Sequence, residues 1–268
     1  MPGAYGSYQW GGNEFQWFET EERAIANNSL SFDDYLKCVE YDLVIETFYN
    51  DNLFDEYTGL LKFLGLPISS YVDEIFALRS EFPPGLDKAF REFVAGRKNE
   101  LLDNNGSLIE KCSQNPHLIE ELIEHENKIS LGNTRSGLIF SQMEALHTVA
   151  NRAMITYLRK SGKYEGNIPE YLREASLNSY FRKEALLDDR VARRTLHYDF
   201  LALHELNYNT DHAECFVPEG IDILYKPNSW LKSRHDYFSA IEPNQVMRWR
   251  KLLYETRIDR NDEWCRVM

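Results

Sequence analysis

The segment SFDDYLKCVEYDLVIETF, running from Ser31 to Phe48, is apolar on more than one side when wound as a helix. Phe32, Tyr35, Leu36, Val39 and Leu43 recur at spacings of three and four, and Tyr41, Val44, Ile45 and Phe48 form a second flank. A helix of that kind cannot rest on a surface, so the chain has to supply further elements that enclose it. Ser31 and Asp34 mark its start as a capping box, in which the hydroxyl accepts from a first-turn N–H and the carboxylate faces the positive helix end. Turn chemistry at Tyr49, Asn50, Asp51 and Asn52 ends it.

The rest of the chain offers the enclosing elements. A short helix from Leu53 to Leu64 is expected to stop at Gly65, a left-handed cap, with Pro67 preventing its continuation. Ser70 and Asp73 read as another helix cap. Pro84 reads as a helix start with Ala89, Phe90, Phe93 and Val94 on one face, and Asn105-Gly106 as that helix's end. GNTRSG, Gly132 to Gly137, has the outer spacing of a phosphate loop but lacks the Lys and Ser/Thr that should follow, and reads as a turn. Phe140, Met143, Leu146, Ala150, Met154 and Tyr157 form a stripe closed by Gly162. Pro169 opens another helix, and a last one is expected from about Gln245 to Arg257.

Strand signals are confined to two places. Residues 1–28 read as extended or irregular, with aromatics alternating with polar residues around Phe15, Trp17 and Phe18. CFVPEGIDILY, Cys215 to Tyr225, has Pro218-Glu219-Gly220 between two β-rich runs and suggests a hairpin. The expected fold is mostly α, a multi-helix assembly of about eight to ten helices with minor β elements near both ends. Its expected organisation is an extended junction segment, 1–28, followed by a helical domain, 29–268, with a candidate sub-boundary near 162–168.

Charge restricts the partners. With 30 basic against 43 acidic side chains the net charge is −13, which repels phosphate backbones and anionic membranes, so neither nucleic acid nor membrane is expected to bind. No run approaches the roughly 20 apolar residues of a membrane span, and MPGAYGSYQW lacks the blocks of a signal peptide, which makes the cytoplasm the expected location. Cys38, Cys112, Cys215 and Cys265 form no C-x-x-C pair. Reduced thiols are expected in place of a zinc ribbon or an iron–sulfur cluster held by this chain.

Two stretches carry candidate chemistry. Glu144-x-x-His147 matches half of the helical motif of di-iron carboxylate bundles, but no second half exists, since Leu122 stands three residues before His125. HYDFLALHELNYNTDHAEC gathers His197, Asp199, His204, Glu205, Asp211, His212 and Cys215. His197 and His204 lie two helical turns apart, roughly 10 Å, too far to share one ion. The candidate metal ligands are therefore His197, His204, Glu205, His212 and Cys215, provided that a loop folds the later ones back. The competing reading is partly buried histidines bonded to nearby carboxylates. G-x-S-x-G, G-x-G-x-x-G and H-E-x-x-H are all absent, and no catalytic or cofactor-binding residue is assigned.

The run from Trp17 to Leu66 also resembles the passage that follows the catalytic barrel in cobalamin-binding radical SAM enzymes. There an extended segment with a Glu-Glu pair leads into a Ser-Phe-x-Asp-Tyr helix and a Phe-Tyr-Asn turn. Glu21-Glu22, Ser31-Phe32-Asp33-Asp34-Tyr35 and Phe48-Tyr49-Asn50 match here, and MRWRKLLYETRID resembles the terminal helix of that region. The family's Cys-x-x-x-Cys-x-x-Cys loop has no counterpart. The resemblance implies a detached C-terminal region, whether a split-gene product, a truncated gene or a free subunit. On that reading the family's iron–sulfur cluster, S-adenosylmethionine and cobalamin would sit on absent domains, and this chain would hold no cofactor. The leading expectation is a helical accessory or docking region without catalysis of its own, presenting Phe15, Trp17, Phe18, Phe32 and Tyr35 to a radical SAM catalytic subunit or to a second copy. The alternatives are an independent helical metalloenzyme using the histidine-rich segment and a free-standing interaction protein.

Overall fold

Ser31 has extended backbone, and its Oγ accepts from Asp34 N–H at 3.1 Å while donating to Asp34 Oδ2 at 2.7 Å. That cap starts α1, Phe32–Phe48, as the sequence predicts. The computed structural model describes residues 2–20, 24–101, 105–115, 117–118, 130–184, 190–227, 229–255 and 264–267. Among them the chain forms eleven α-helices and two small antiparallel sheets near its ends, one of two strands and one of three.

Asp51 and Asn52, at φ 55° and 56°, turn the chain out of α1 and into α2, Asp55–Phe63. These are the residue types that tolerate the left-handed region best after glycine. Gly65, at φ 67°, ends α2, with Leu66 N–H donating to the Leu61 carbonyl at 2.9 Å. α3, Ile68–Ala77, begins directly after Pro67, so Ser70 lies inside the helix and does not cap it. The Pro67 carbonyl accepts from the Tyr157 hydroxyl at 3.0 Å, which anchors that start to the core.

α4, Pro84–Asn99, opens at Pro84 as expected but ends at Asn99, and Asn105-Gly106 instead open α5, Asn105–Gln114. Asparagine suits a helix start as well as a helix end, so its presence alone does not say which is meant. GNTRSG is not a turn. It lies within α6, Leu131–Ser141, where the Arg135 side chain is buried, pairs with Asp51 at 2.7 Å and donates to the Asn50 carbonyl at 3.3 Å. That tertiary anchoring outweighs the low helix propensity of two glycines.

α7, Met143–Lys160, buries Met143, Leu146, Ala150, Met154 and Tyr157 of the predicted stripe and ends before Gly162 at φ 64°, whereas Phe140 lies on α6 and is half-buried. α8, Ile168–Lys183, carries Pro169 in its first turn. β3, Ala192–Tyr198, and α9, Phe200–Glu205, follow; α9 is capped by Asp199, which accepts from Ala202 N–H at 3.2 Å. β4, Phe216–Tyr225, then pairs with β3 on one side and with β5, Trp264–Arg266, on the other. Pro218-Glu219-Gly220 is therefore not a hairpin turn, because it lies within one strand. The register passes from Leu196↔Ile221 to Tyr198↔Phe216, and the extra residues form a bulge with Gly220 at φ 75°. α10, Ser229–Ile241, and α11, Gln245–Glu255, close the helical set.

Leu43, Val44 and Phe48 of α1 are fully buried among α3, α4 and α6, so the two-flank reading holds for the C-terminal half of that helix. Phe48 stacks on Phe54 and Phe54 on Tyr57, each at 5.8 Å between centroids, and Phe54 meets the His147 ring edge-on at 5.0 Å. This aromatic column brings the first turn of α2 against α7 and α8, where a cluster of buried charges lies.

Candidate functional site

At the N-terminus β1, Pro2–Trp10, and β2, Asn13–Thr20, form an antiparallel hairpin. Its two-residue turn is Gly11-Gly12, at φ 61° and 82°, the backbone that such a connection demands. Residues directly opposite each other share a face, and faces alternate along each strand. The register Gly6↔Trp17, Tyr8↔Phe15 and Trp10↔Asn13 therefore gathers Tyr8, Trp10, Phe15 and Trp17 on one face, with Ser7, Gln9 and Glu14 on the other.

The four rings cover one another only in part. Tyr8 stacks on Phe15 at 5.5 Å, Trp10 tilts against Phe15 at 6.5 Å, and the Trp17 indole lies over Gly6, where an added Cβ would meet it at 3.0 Å. Trp10 remains 73% exposed, Tyr8 54%, Trp17 41% and Phe15 38%. Rings of this size bury on the order of 150 to 250 Å² each when enclosed, so the face is a large apolar surface left to water. Phe18 pairs with Tyr5 through the backbone, and its side chain lies outside the described residues. Phe32 and Tyr35 stack on each other at 6.1 Å at the start of α1, with Lys98 Nζ over the Phe32 ring at 5.8 Å. Both are half-buried.

The histidine-rich segment disperses its side chains. His197, on β3, places Nδ1 3.0 Å from Glu174 Oε1, while Glu174 Oε2 accepts from the backbone N–H groups of His197 at 2.7 Å and Tyr198 at 3.2 Å. His204, at the end of α9, stands 3.9 Å from Asp55 Oδ2 and edge-on to Trp264. Glu205 is exposed. His212 is buried against Tyr171, 4.5 Å between centroids, with Tyr198 and Phe63 beside it. Among the described residues neither of its ring nitrogens has a hydrogen-bond partner, and burial lowers its pKa toward the neutral form. Cys215 is half-buried, and burial pushes its thiol up.

Among the described residues, one set of three side chains of ligand type converges: Glu170, Glu174 and His197, with ligand-capable atoms within 4.8 Å of one another. Glu174 already accepts the contacts above and one from Arg173 at 3.2 Å. In this state its carboxylate ties α8 to β3, a fully used acceptor and not an open ligand.

A buried charge centre, which sequence reading missed, lies where α2 begins and α8 ends. Glu56 Oε1 accepts from Arg182 Nη1 at 2.9 Å, and its Oε2 from Lys183 Nζ at 3.0 Å. Lys183 also donates to Ser179 Oγ at 2.7 Å, and Ser179 meets His147 Nε2 at 3.1 Å. Arg182 donates to the Tyr208 hydroxyl at 2.8 Å and lies 4.8 Å over Trp264. The helix ends add to the pairing, since carboxylates sit at a positive terminus and cations at a negative one.

Burial opposes ionisation of Glu56, but Lys183 and Arg182 outweigh it and hold its carboxyl well below the usual range. Asp55 lies farther from the same cations, at 3.5 and 3.6 Å, and burial together with the neighbouring Glu56 raises it to about 7. Burial, aided by Lys183, lowers His147 to about 4. A serine on a lysine suggests a nucleophile and its base. Activation, however, needs a free lone pair on that base, and a lysine ammonium held by a carboxylate offers none. The centre is a structural lock between α2 and α8. On its outer side a groove of about 700 Å³ between α7 and α8 reaches His147, walled by Glu144, Arg152 and Tyr180.

No family model matches the chain, and no curated protein or solved structure is significantly similar to it. No described helix is long and apolar enough to cross a membrane.

Proposed function

We propose that this chain is a non-catalytic helical accessory region that docks through its N-terminal hairpin onto a separate catalytic barrel of the cobalamin-binding radical SAM kind. The observation that carries the reading is the one-sided aromatic face of Tyr8, Trp10, Phe15 and Trp17, each of which remains 38% or more exposed. Leaving that surface in water costs several kcal/mol at about 25 cal/mol per Å², and a partner would recover it. The choice of partner rests on the resemblance of the segment from Trp17 to Leu66, in which an extended strand and a capped aromatic helix follow a barrel. A barrel's outer strands or helices supply a rigid apolar counter-surface for such a face.

The test mixes the purified full chain with a cobalamin-binding radical SAM barrel protein from the same genome, followed by size-exclusion chromatography and titration. A complex is expected, weakened at least roughly tenfold when Trp10→Ser and Trp17→Ser are combined, as for anchors at an interface centre. Absence of a complex, or a complex indifferent to both substitutions, overturns the reading. Self-association that disappears in the same variant makes a second copy the occupant and likewise removes the barrel from the account.

A further inference from the structure

At the end of α8, where the chain passes into β3 and comes alongside the end of β4, lies a cavity of about 320 Å³. That is within the range of small-ligand sites. Among the described residues its lining includes four cations, Arg182, Arg190, Arg194 and Lys226, against one carboxylate, Glu184. In a chain of net charge −13 this is a local inversion of sign. Screening confines the influence of distant charges to about 8 Å at physiological salt, so the local set governs what enters.

We propose that this cavity binds a small oxyanion, the phosphate or carboxylate group of a metabolite, with Arg194 and Lys226 as its principal ligands. The four cations are not equivalent. Arg182 is turned inward to Glu56 and Tyr208 and forms the floor. Arg190 pairs with Glu184 at 3.1 Å. Arg194 places its guanidinium carbon 4.0 Å from the centre of the Phe181 ring and donates from Nη1 to the Arg193 carbonyl at 2.8 Å, which anchors one arm of the fork and leaves other N–H groups to meet an anion. Lys226 is exposed and lines the same opening.

The bland alternative is that these cations merely offset the negative end of α8. That end amounts to about half an elementary charge, and Glu184 adds one. Among the described residues four positive groups exceed the two together, so a surplus remains there even after Glu56 is assigned to Arg182. The site is independent of the docking face at the hairpin, and its outcome does not bear on the barrel.

The test is isothermal titration of the full chain with inorganic phosphate and, separately, with malonate at fixed ionic strength. Saturable binding at one site per chain is expected, weakened roughly tenfold or more by Arg194→Gln and by Lys226→Gln, the loss that follows from removing one charge-assisted hydrogen bond. Both side chains belong to exposed residues, so the variants should fold, which far-UV circular dichroism checks. Binding of phosphate alone or of malonate alone supports the site and identifies the oxyanion class. No saturable heat with either probe, or affinities unchanged in both variants, overturns the proposal.

Discussion

Lys183 Nζ stands 3.0 Å from Glu56 Oε2 with both side chains wholly shielded from solvent. A buried ion pair of this kind adds little over an apolar pair of the same shape, yet breaking it strands a charge in the interior. Glu56→Gln, which leaves both Lys183 and Arg182 without their shared carboxylate, should therefore cost about 3 to 5 kcal/mol, and Lys183→Met added to it should restore part of that loss by removing one stranded cation. Urea unfolding of the two variants measures this. Equal losses in the single and double variants would mean that packing, and not the stranded ammonium, dominates.

Stability should also fall in acid through His147. Its folded pKa, about 4, lies below the ordinary 6.5, so the neutral imidazole is the folded form. For a depressed pKa the contribution is fully present above about 6.5 and is lost as pH falls through about 4, up to about 3 kcal/mol for a group this buried. Asp55, raised to about 7, acts in the opposite sense: its contribution is present in acid and lost as pH rises toward that value. The two are separated by comparing unfolding midpoints of the native chain and His147→Gln between pH 4 and 7. The difference between them should shrink as pH falls, and a constant difference counts against the assignment.

Two glycines should respond in opposite directions to alanine. A Cβ on Gly59 would stand 2.4 Å from Tyr208 Cβ and 2.6 Å from the Asn207 carbonyl oxygen, where Asn207 and Tyr208 turn in left-handed conformation against α2. Gly59→Ala should cost about 1 to 3 kcal/mol through overpacking. Gly137, inside α6, has nothing within 4 Å of its would-be Cβ, and Gly137→Ala should stabilise by about 0.5 to 1 kcal/mol. Thermal unfolding of both variants reads the signs.

The helices were legible wherever local chemistry decides their ends. Ser31, Gly65, Pro84, Gly162 and Pro169 act where the sequence places them, because a cap or a fixed φ depends on a few neighbouring residues. GNTRSG failed because Arg135 finds Asp51 eighty-four residues away, a partner invisible to any local window. Pro218-Glu219-Gly220 failed for a related reason, since the β4 residues on either side of it both pair with β3 and leave it as a bulge within one strand. The charge centre was hidden likewise. Asp55-Glu56 at a helix start and Arg182-Lys183 at a helix end are each an ordinary complement to a helix dipole, and only the packing of α2 on α8 turns them into one cluster. The hairpin's aromatic content was plain from sequence, whereas its one-sidedness required the register set by Gly11-Gly12.

That one-sidedness supports a last prediction, which concerns what the exposed rings do for the chain's own stability. The rings stack chiefly on each other across the hairpin, and Trp10 in particular is largely in water. Side chains already hydrated in the folded state have little burial to lose on substitution. Combining Trp10→Ser with Trp17→Ser should therefore leave the melting temperature of the full chain within a few degrees of the native value, since about 1 kcal/mol shifts a chain of this size by roughly 2 to 4 °C. Differential scanning calorimetry decides it. A drop of more than about 10 °C would correspond to several kcal/mol on the same scale. It would mean that the aromatic face is covered by the body of this same molecule, which removes the surface on which docking to any partner depends.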